Sequence, residues 1–509
     1  MAAIETTPGT GSLPAVSSRS ADGTPKLSTE ESRVIWLLLA AAFVAILNET
    51  TMGVAIPHLI VDLGITALAA QWLTTAFMLT MAVIIPITGF LLRRFTTRAM
   101  FVAAMGLFSL GTLLAFLSPG FPMLLAARVV QASGTAVMMP LLMTTLMTVV
   151  PAAIRGRMMG RVSIVMSLAP AIGPTLAGAL LNSFEWRWIF GVVLPIAVVA
   201  LVVGARWIHN LGETTHAPID VPSVILSALG FGGLVFGLSQ LGAGGHGGGA
   251  DAAAASAAST TTLIVSLAVG VVALGVFGWR QVVLQRKDDA LLDLRVFRSG
   301  NFSLSIAQMA IMSMAFFGAI TVVPLYLQDV LGVDALTAGL VVLPGALAMG
   351  LAGPLIGRVY DRWGTRVLLV PGAVITSGML WVYTTFTEAT PVWVIAVTQT
   401  VLSLGLALSF TPLFTASLGS LQPRFYSYGS AVVGTVQQVA GAAGIALMFG
   451  VMAAATSAAT ASGASEVAAG AAGTHAAFLI AAILSLPLLV GAFLIRKPAD
   501  QPMGAPVGH

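Results

Sequence analysis

Only 8% of the 509 residues are charged and 57% are apolar, with a mean hydropathy of +0.97. A soluble domain carries roughly a quarter charged residues, so a water-soluble globule is excluded. The net charge of +4 does not argue for nucleic acid as a partner, because the basic residues sit in short loops on one side.

Apolar runs of about twenty residues recur, long enough to cross a bilayer as helix and unlike the short alternating segments of a barrel. Only helices and closed barrels satisfy every backbone group in lipid, which predicts an all-α polytopic membrane protein. With no cysteine in the chain there is no disulfide, thiolate metal site or cysteine nucleophile.

In chain order, residues 1–32 are rich in Ser, Thr, Pro and Gly and lack the basic-then-apolar design of a signal peptide. They read as a disordered cytoplasmic tail. Apolar runs follow near 34–56, 71–92, 99–117, 121–149, 157–181, 188–207 and 221–241, then near 261–283, 303–327, 335–357, 366–386, 391–414, 428–452 and 474–495, giving fourteen predicted spans. After spans 2, 4, 8 and 10 come arginine-rich loops: Arg93, Arg94 and Arg98; Arg155, Arg157 and Arg161; Arg286, Lys287, Arg295 and Arg298; Arg358, Arg362 and Arg366. Alternate loops carry acids such as Asp62, Glu185, Asp251, Asp329, Glu388 and Glu466. The positive-inside rule then places both termini in the cytoplasm. The glycine-rich stretch before Asp251 with the Ala/Ser run after it, and the Ala/Gly run near 453–473, read as low-complexity outer loops.

An internal repeat is visible. Gly89-F-L-L-Arg93-Arg94-F-T-T-Arg98 lies over Gly357-R-V-Y-Asp361-Arg362-W-G-T-Arg366. Both follow the second span of a six-span unit if spans 7 and 8 are an insertion, and repeated halves mark secondary transporters with a site at the repeat interface. The boundaries that follow are 33–210 for an N-terminal six-helix bundle, 211–298 for the two inserted helices and linkers, 299–497 for a C-terminal bundle, and 498–509 for a cytoplasmic tail.

Two charges lie inside apolar runs. Arg128 stands alone in span 4, where centring a charge costs roughly 3 kcal/mol on insertion scales. Glu49 is the one acid well inside a span. Counted from the predicted outer ends, Glu49 lies about 12 Å and Arg128 about 10 Å deep at the helical rise. Opposite charges therefore sit at similar depth. Intramembrane charges are functional by default, the plain alternative being a fixed ion pair that holds spans 1 and 4 together.

Four motifs resemble those of the fourteen-span drug:proton antiporters of the major facilitator superfamily, of the lincomycin-resistance type. G-x-x-x-D-R-x-G-x-R at Gly357–Arg366 is similar to the family's gating loop. R-x-x-Q at Arg128–Gln131 is similar to its fourth-helix motif, with Ala132 where a glycine is usual. A-P-A-I-G-P-T-L-A-G at Ala169–Gly178 resembles the fifth-helix signature associated with antiport, and L-N-E-T-T-M-G-V-A-I-P at Leu47–Pro57 resembles a first-helix signature. In two places the chain departs from the family pattern. Asn48 stands where an aspartate is usual, with the acid one residue on at Glu49, and Arg93 stands where the second half has Asp361.

The resemblance implies a major facilitator fold, two six-helix halves plus two inserted helices, with the first and fourth helices of a half lining a central cavity. Glu49 and Arg128 are then candidates for proton coupling, since motion that changes their separation changes how tightly the carboxyl holds a proton. The same carboxylate, deprotonated, attracts a lipophilic cation. Further candidates for the cavity are Gln131, Met138, Phe77, Gln308, Phe316, Tyr326 and Gln437, because methionine surfaces adapt to varied ligands and aromatic faces attract cations. Gly173, Pro174 and Gly178, small and kink-forming, are expected at a sliding contact between the halves, and Gly357, Asp361, Arg362 and Arg366 at a cytoplasmic latch.

No lysine follows a G-x-x-x-x-G, so no phosphate-binding loop exists, and the histidines show no metal spacing. The expected reading is a carrier rather than an enzyme, monomeric, without cofactor or metal. It exchanges protons down their gradient for lipophilic, cationic drugs across the cytoplasmic membrane. The alternatives are a carrier for one metabolite or lipid, and a membrane sensor that has lost transport.

Overall fold

A computed structural model describes residues 27–208, 210, 218, 220–243 and 252–498. The tail up to residue 26, the glycine-rich loop 244–251 with Asp251, and the tail from 499 lie outside the described residues. Among the described residues there is no strand and there are fourteen helices long and apolar enough to cross a membrane. They are α1 (Thr29–Leu63), α2 (Ala67–Arg94), α3 (Thr97–Phe116), α4 (Phe121–Val149), α5 (Arg155–Leu181), α6 (Arg187–Trp207) and α7 (Val221–Ala243), followed by α8 (Ala252–Leu284), α9 (Gly300–Leu325), α10 (Ala335–Trp363), α11 (Arg366–Tyr383), α12 (Val392–Gly419), α13 (Tyr426–Ala461) and α14 (Glu466–Leu494).

Three boundaries differ from the sequence reading, each for a local reason. α1 starts at Thr29 rather than near 34, because Ser28 and Glu31 form a reciprocal capping box that satisfies two otherwise orphaned amides. The Ala/Ser run after Asp251 is helical from Ala252 as the start of α8. The Ala/Gly run near 453–473 is mostly helix too: α13 reaches Ala461 and α14 begins at Glu466. Alanine has the highest helix propensity of all residues. The turn between them needs only Gly463, at φ +88°, and Ser465 as the next N-cap.

The helices α1–α6 pack on one another, as do α9–α14, and the two groups meet along two related seams, α5 with α10 and α2 with α13. The inserted pair α7–α8 is a hairpin whose α7 packs along both α2 and α13. Trp72 of α2 stacks on Phe236 of α7 at 5.8 Å.

The seams close at the end that carries the arginines. On α5, Gly156 and Gly160 face Gly357 and Gly353 of α10, and a methyl group on any of the four would come under 3.0 Å from the backbone opposite. Small residues at this spacing let helix backbones touch. Nearby, Ser163 and Thr411 share a hydrogen bond at 2.6 Å, as do Thr144 and Ser430 at 2.7 Å. These hydrogen bonds between the halves, and those of Arg93 and Asp361, lie toward this same end.

Candidate functional site

Arg128 is 1% exposed in the first third of α4, and its guanidinium ties together three helices, with a fourth reached through Gln131. Nη1 donates to Gln131 Oε1 at 2.7 Å and to Asn48 Oδ1 of α1 at 3.4 Å, and Nε donates to the Leu73 carbonyl of α2 at 3.5 Å. One turn along α4, Gln131 Nε2 donates to Thr112 Oγ1 of α3 at 2.8 Å, and that hydroxyl donates to the Phe108 carbonyl. The face of Phe77 lies 4.1 Å from the guanidinium carbon, a cation–π contact that burial of both partners strengthens.

Arg128 and Glu49 do not form the direct pair that the sequence suggests. No salt bridge joins them among the described residues, although Glu49 is near enough to feel the arginine's charge. Asn48 takes the place beside Arg128. Consecutive helical residues are turned about 100° apart at 3.6 residues per turn, so Glu49 is rotated off that contact. It is half-buried, with no hydrogen bond to any described residue. Asn48 Nδ2 is buried and also lacks a partner.

The C-terminal half has a neutral counterpart. Gln399 follows the start of α12 by the same seven residues that separate Arg128 from the start of α4. It is 2% exposed and accepts from the Tyr383 hydroxyl of α11. The buried charge thus belongs to one half only.

Several other candidates fall elsewhere. Gln308 ties α9 to α14, its Nε2 donating to the Pro487 carbonyl at 3.0 Å while its amide fills the space left by Gly491. The Tyr326 hydroxyl donates to the Thr387 carbonyl at 2.6 Å, and its ring sits among Phe386 and Phe478 at the end away from the arginines. Both therefore hold the C-terminal half together and are not free to meet a ligand here. Met138 is buried in the core. Phe316 and Gln437 are half-buried, and Phe316 packs edge-on against Phe410 of α12.

The expected sliding face of α5 is displaced along the helix. Gly173 packs on Thr50 of α1, inside its own half, and Gly178 meets nothing within 4 Å. Pro174 is exposed. The contact between the halves is made instead by Gly156 and Gly160, which the sequence reading hid among loop arginines.

At the closed end the two halves are fastened differently. On one seam the Asp361 carboxylate of α10 accepts from the backbone N–H groups of Gly156 and Arg157, at 2.8 and 2.9 Å. These are orphan donors at the start of α5, and the helix dipole favours an anion there. Gly357 lets the backbones approach, whereas Arg362 and Arg366 are exposed.

On the other seam Arg93 takes the acid's place and cannot do the same. Its Nη1 donates to the Tyr428 hydroxyl of α13 at 3.0 Å, with the guanidinium 5.1 Å from the ring. The hydroxyl in turn donates to the Ala290 carbonyl at 3.0 Å, in the linker that follows the inserted helices. That linker is braced by Arg295, which grips Asp288 and Asp293 and holds the Asp288 carboxyl below its ordinary range. One hydroxyl thus joins both halves and the insertion.

Tyr428→Phe is expected to weaken this fastening by about 1–3 kcal/mol, the cost of a half-buried arginine and a buried carbonyl losing a shared partner. Spin labels placed on cysteines at exposed Arg98 and Arg366 would then show a larger fraction of molecules separated at this end.

Residues 38–445 match the model of the Major Facilitator Superfamily. The chain is 40% identical over 467 residues to the uncharacterized MFS-type transporter YcnB of Bacillus subtilis, covering 92% of this chain and 95% of that one. It is 38% identical to the lincomycin resistance protein LmrB of Listeria monocytogenes, covering 91% and 96%. Among solved structures, the E. coli fucose:proton symporter FucP superposes with a TM-score of 0.61 at 11% identity, over 92% of this chain and 99% of that one. At that identity the likeness concerns the fold alone.

Proposed function

This chain belongs to the Major Facilitator Superfamily, and from that premise we propose that it exports lipophilic, cationic drugs across the cytoplasmic membrane in exchange for protons. The arginine-rich end is cytoplasmic by the positive-inside rule, so the closed seams face the cytoplasm and both termini lie there. The protein works as a monomer and as a carrier, rocking between two access states around a site at the interface of its halves.

One observation carries the reading: Glu49 is a half-buried carboxyl within a membrane-spanning helix, beside a buried arginine yet bonded to no described residue. A carboxyl locked in an ion pair would resist both protonation and release. An unlocked one can hold a proton in one state, and in the other attract a cation in its place. The drug class is supported by the lincomycin resistance for which relatives are named, and by the half-buried Gln437 on α13, which borders the interface, and Phe316 on the neighbouring α9.

A second reading has one metabolite or lipid as cargo and Arg128 as a purely structural residue. The hydrogen bonds of Arg128 to Asn48 and Gln131 favour it.

Efflux of a cationic dye from reconstituted vesicles, with and without an imposed pH gradient, separates the two. Wild type is expected to move dye only with the gradient, and Glu49→Gln to lose at least about 90% of that movement, in line with removal of an obligatory acid. Arg128→Ala is expected to shift the pH optimum as well as lower the rate. Dye movement in Glu49→Gln at the wild-type rate would sink the proton assignment.

A further inference from the structure

Asp361 is gripped from two sides. Its carboxylate accepts from the first amides of α5. Its backbone carbonyl, near the C-terminus of α10, accepts from Lys497 Nζ at 2.9 Å. The last carbonyls of a helix have no partner further along it, and a cation placed there complements the helix dipole. Lys497 supplies both the donor and the charge. Its Nζ also lies 6.0 Å from the centre of the buried Tyr360 ring.

Lys497 is itself held in place by the short segment that follows α14. Ile495 is fully buried. Arg496 is pinned through its backbone by Asn301 at the start of α9: the Arg496 N–H donates to Asn301 Oδ1 at 3.0 Å, and its carbonyl accepts from Asn301 Nδ2 at 3.1 Å. The same Nδ2 reaches the Ala416 carbonyl of α12 at 3.4 Å. Pro498 lies against Gly419 at the end of α12, and the Lys497 side chain lies against Gly364, just past the end of α10. Residues 495–498 therefore strap the cytoplasmic ends of α9, α12 and α10, and they deliver one ammonium to Asp361.

We propose that Lys497 is a positioning residue for the cytoplasmic latch: by capping α10 it aims the Asp361 carboxylate at the amides of α5. The strap belongs wholly to the C-terminal half, so it stays intact as the halves part and keeps the latch ready to close again. Lys497 acts through Asp361, and its role rests on the reading of this seam as a moving gate.

Spin-label pairs on cysteines at Arg98 and Arg366 of the full chain test this, with the ratio of short to long distances as the readout. Asp361→Ala is expected to lower that ratio about tenfold or more, since two charge-assisted hydrogen bonds are lost. Lys497→Met is expected to lower it about three- to fivefold. Lys497→Arg should restore most of it, because a guanidinium also donates to a carbonyl. Lys497→Met/Asp361→Ala should match Asp361→Ala alone, as groups that act as one unit do not add. Arg496→Gln removes the same charge from an exposed neighbouring side chain and should keep the wild-type ratio. Three results would overturn the proposal while leaving the gate in place: a wild-type ratio in Lys497→Met, losses that add in the double variant, or an equal loss in Arg496→Gln. If Asp361→Ala itself keeps the wild-type ratio, the gate reading falls and takes the role of Lys497 with it.

Discussion

Gly160→Leu is expected to abolish transport and to leave the cytoplasmic seam unable to close. In the closed state even a methyl at this position would come under 3.0 Å from the Gly353 backbone, and backbone cannot rotate away as a side chain can. Overpacking of this kind costs typically 1–3 kcal/mol for added methylenes in a core. Here a whole isobutyl group stands between two helices in contact. A shift of about 3 kcal/mol is roughly a hundredfold in the ratio of the two access states, enough to deplete the closed form. Since the chain contains no cysteine, label pairs placed at Arg98 and Arg366 can report the separation directly. The fraction at short distance should collapse in Gly160→Leu and in Gly353→Leu. Gly178→Leu, where the structure leaves open space, should keep the wild-type distribution. An unchanged distribution in Gly160→Leu would show that this contact does not set the closed state.

The fate of these glycines shows what the sequence could and could not disclose. Fourteen apolar runs, the alternation of basic and acidic loops, and the repeat of Gly89–Arg98 over Gly357–Arg366 are long-range patterns, and they carry the architecture. Gly156-R-M-M-Gly160 and Gly353-P-L-I-Gly357 are both small-xxx-small pairs, so a signal for the seam was present. It was masked on α5 because the flanking arginines read as a loop, whereas the helix starts at Arg155 and carries them on its first turns.

The neighbourhood of Arg128 was legible as a place but not as a set of bonds. An isolated intramembrane arginine must find acceptors, and Gln131, three residues on, was an obvious one. That Asn48 and not Glu49 would reach it depends on the rotation of α1 about its own axis. The pattern of α1 leaves that rotation weakly specified, since apolar residues surround the helix. Tyr428 could not be foreseen either, because its partners come from positions 93 and 290 and no local pattern links them.

Arg128→Met is expected to destabilise the N-terminal half and to stop coupled transport, and the two effects can be separated. The thioether fills much of the guanidinium's volume but donates nothing. Gln131 Oε1 and Asn48 Oδ1 are both buried and therefore lose their partner at about 1–3 kcal/mol for each orphan. A loss of roughly 2–4 kcal/mol is expected in denaturant unfolding of the detergent-solubilised protein. Arg128→Met/Gln131→Leu/Asn48→Leu removes the orphans together with the charge, and replacing a buried polar set by apolar groups is often neutral or stabilising. That variant should recover at least half of the lost stability. Proton-driven dye efflux should nevertheless stay absent, because Glu49 no longer sits beside a positive charge that sets how tightly it holds a proton. If the triple variant recovers transport along with stability, Arg128 is only a brace between α1, α2, α3 and α4, and the proton must be handled by Glu49 without it.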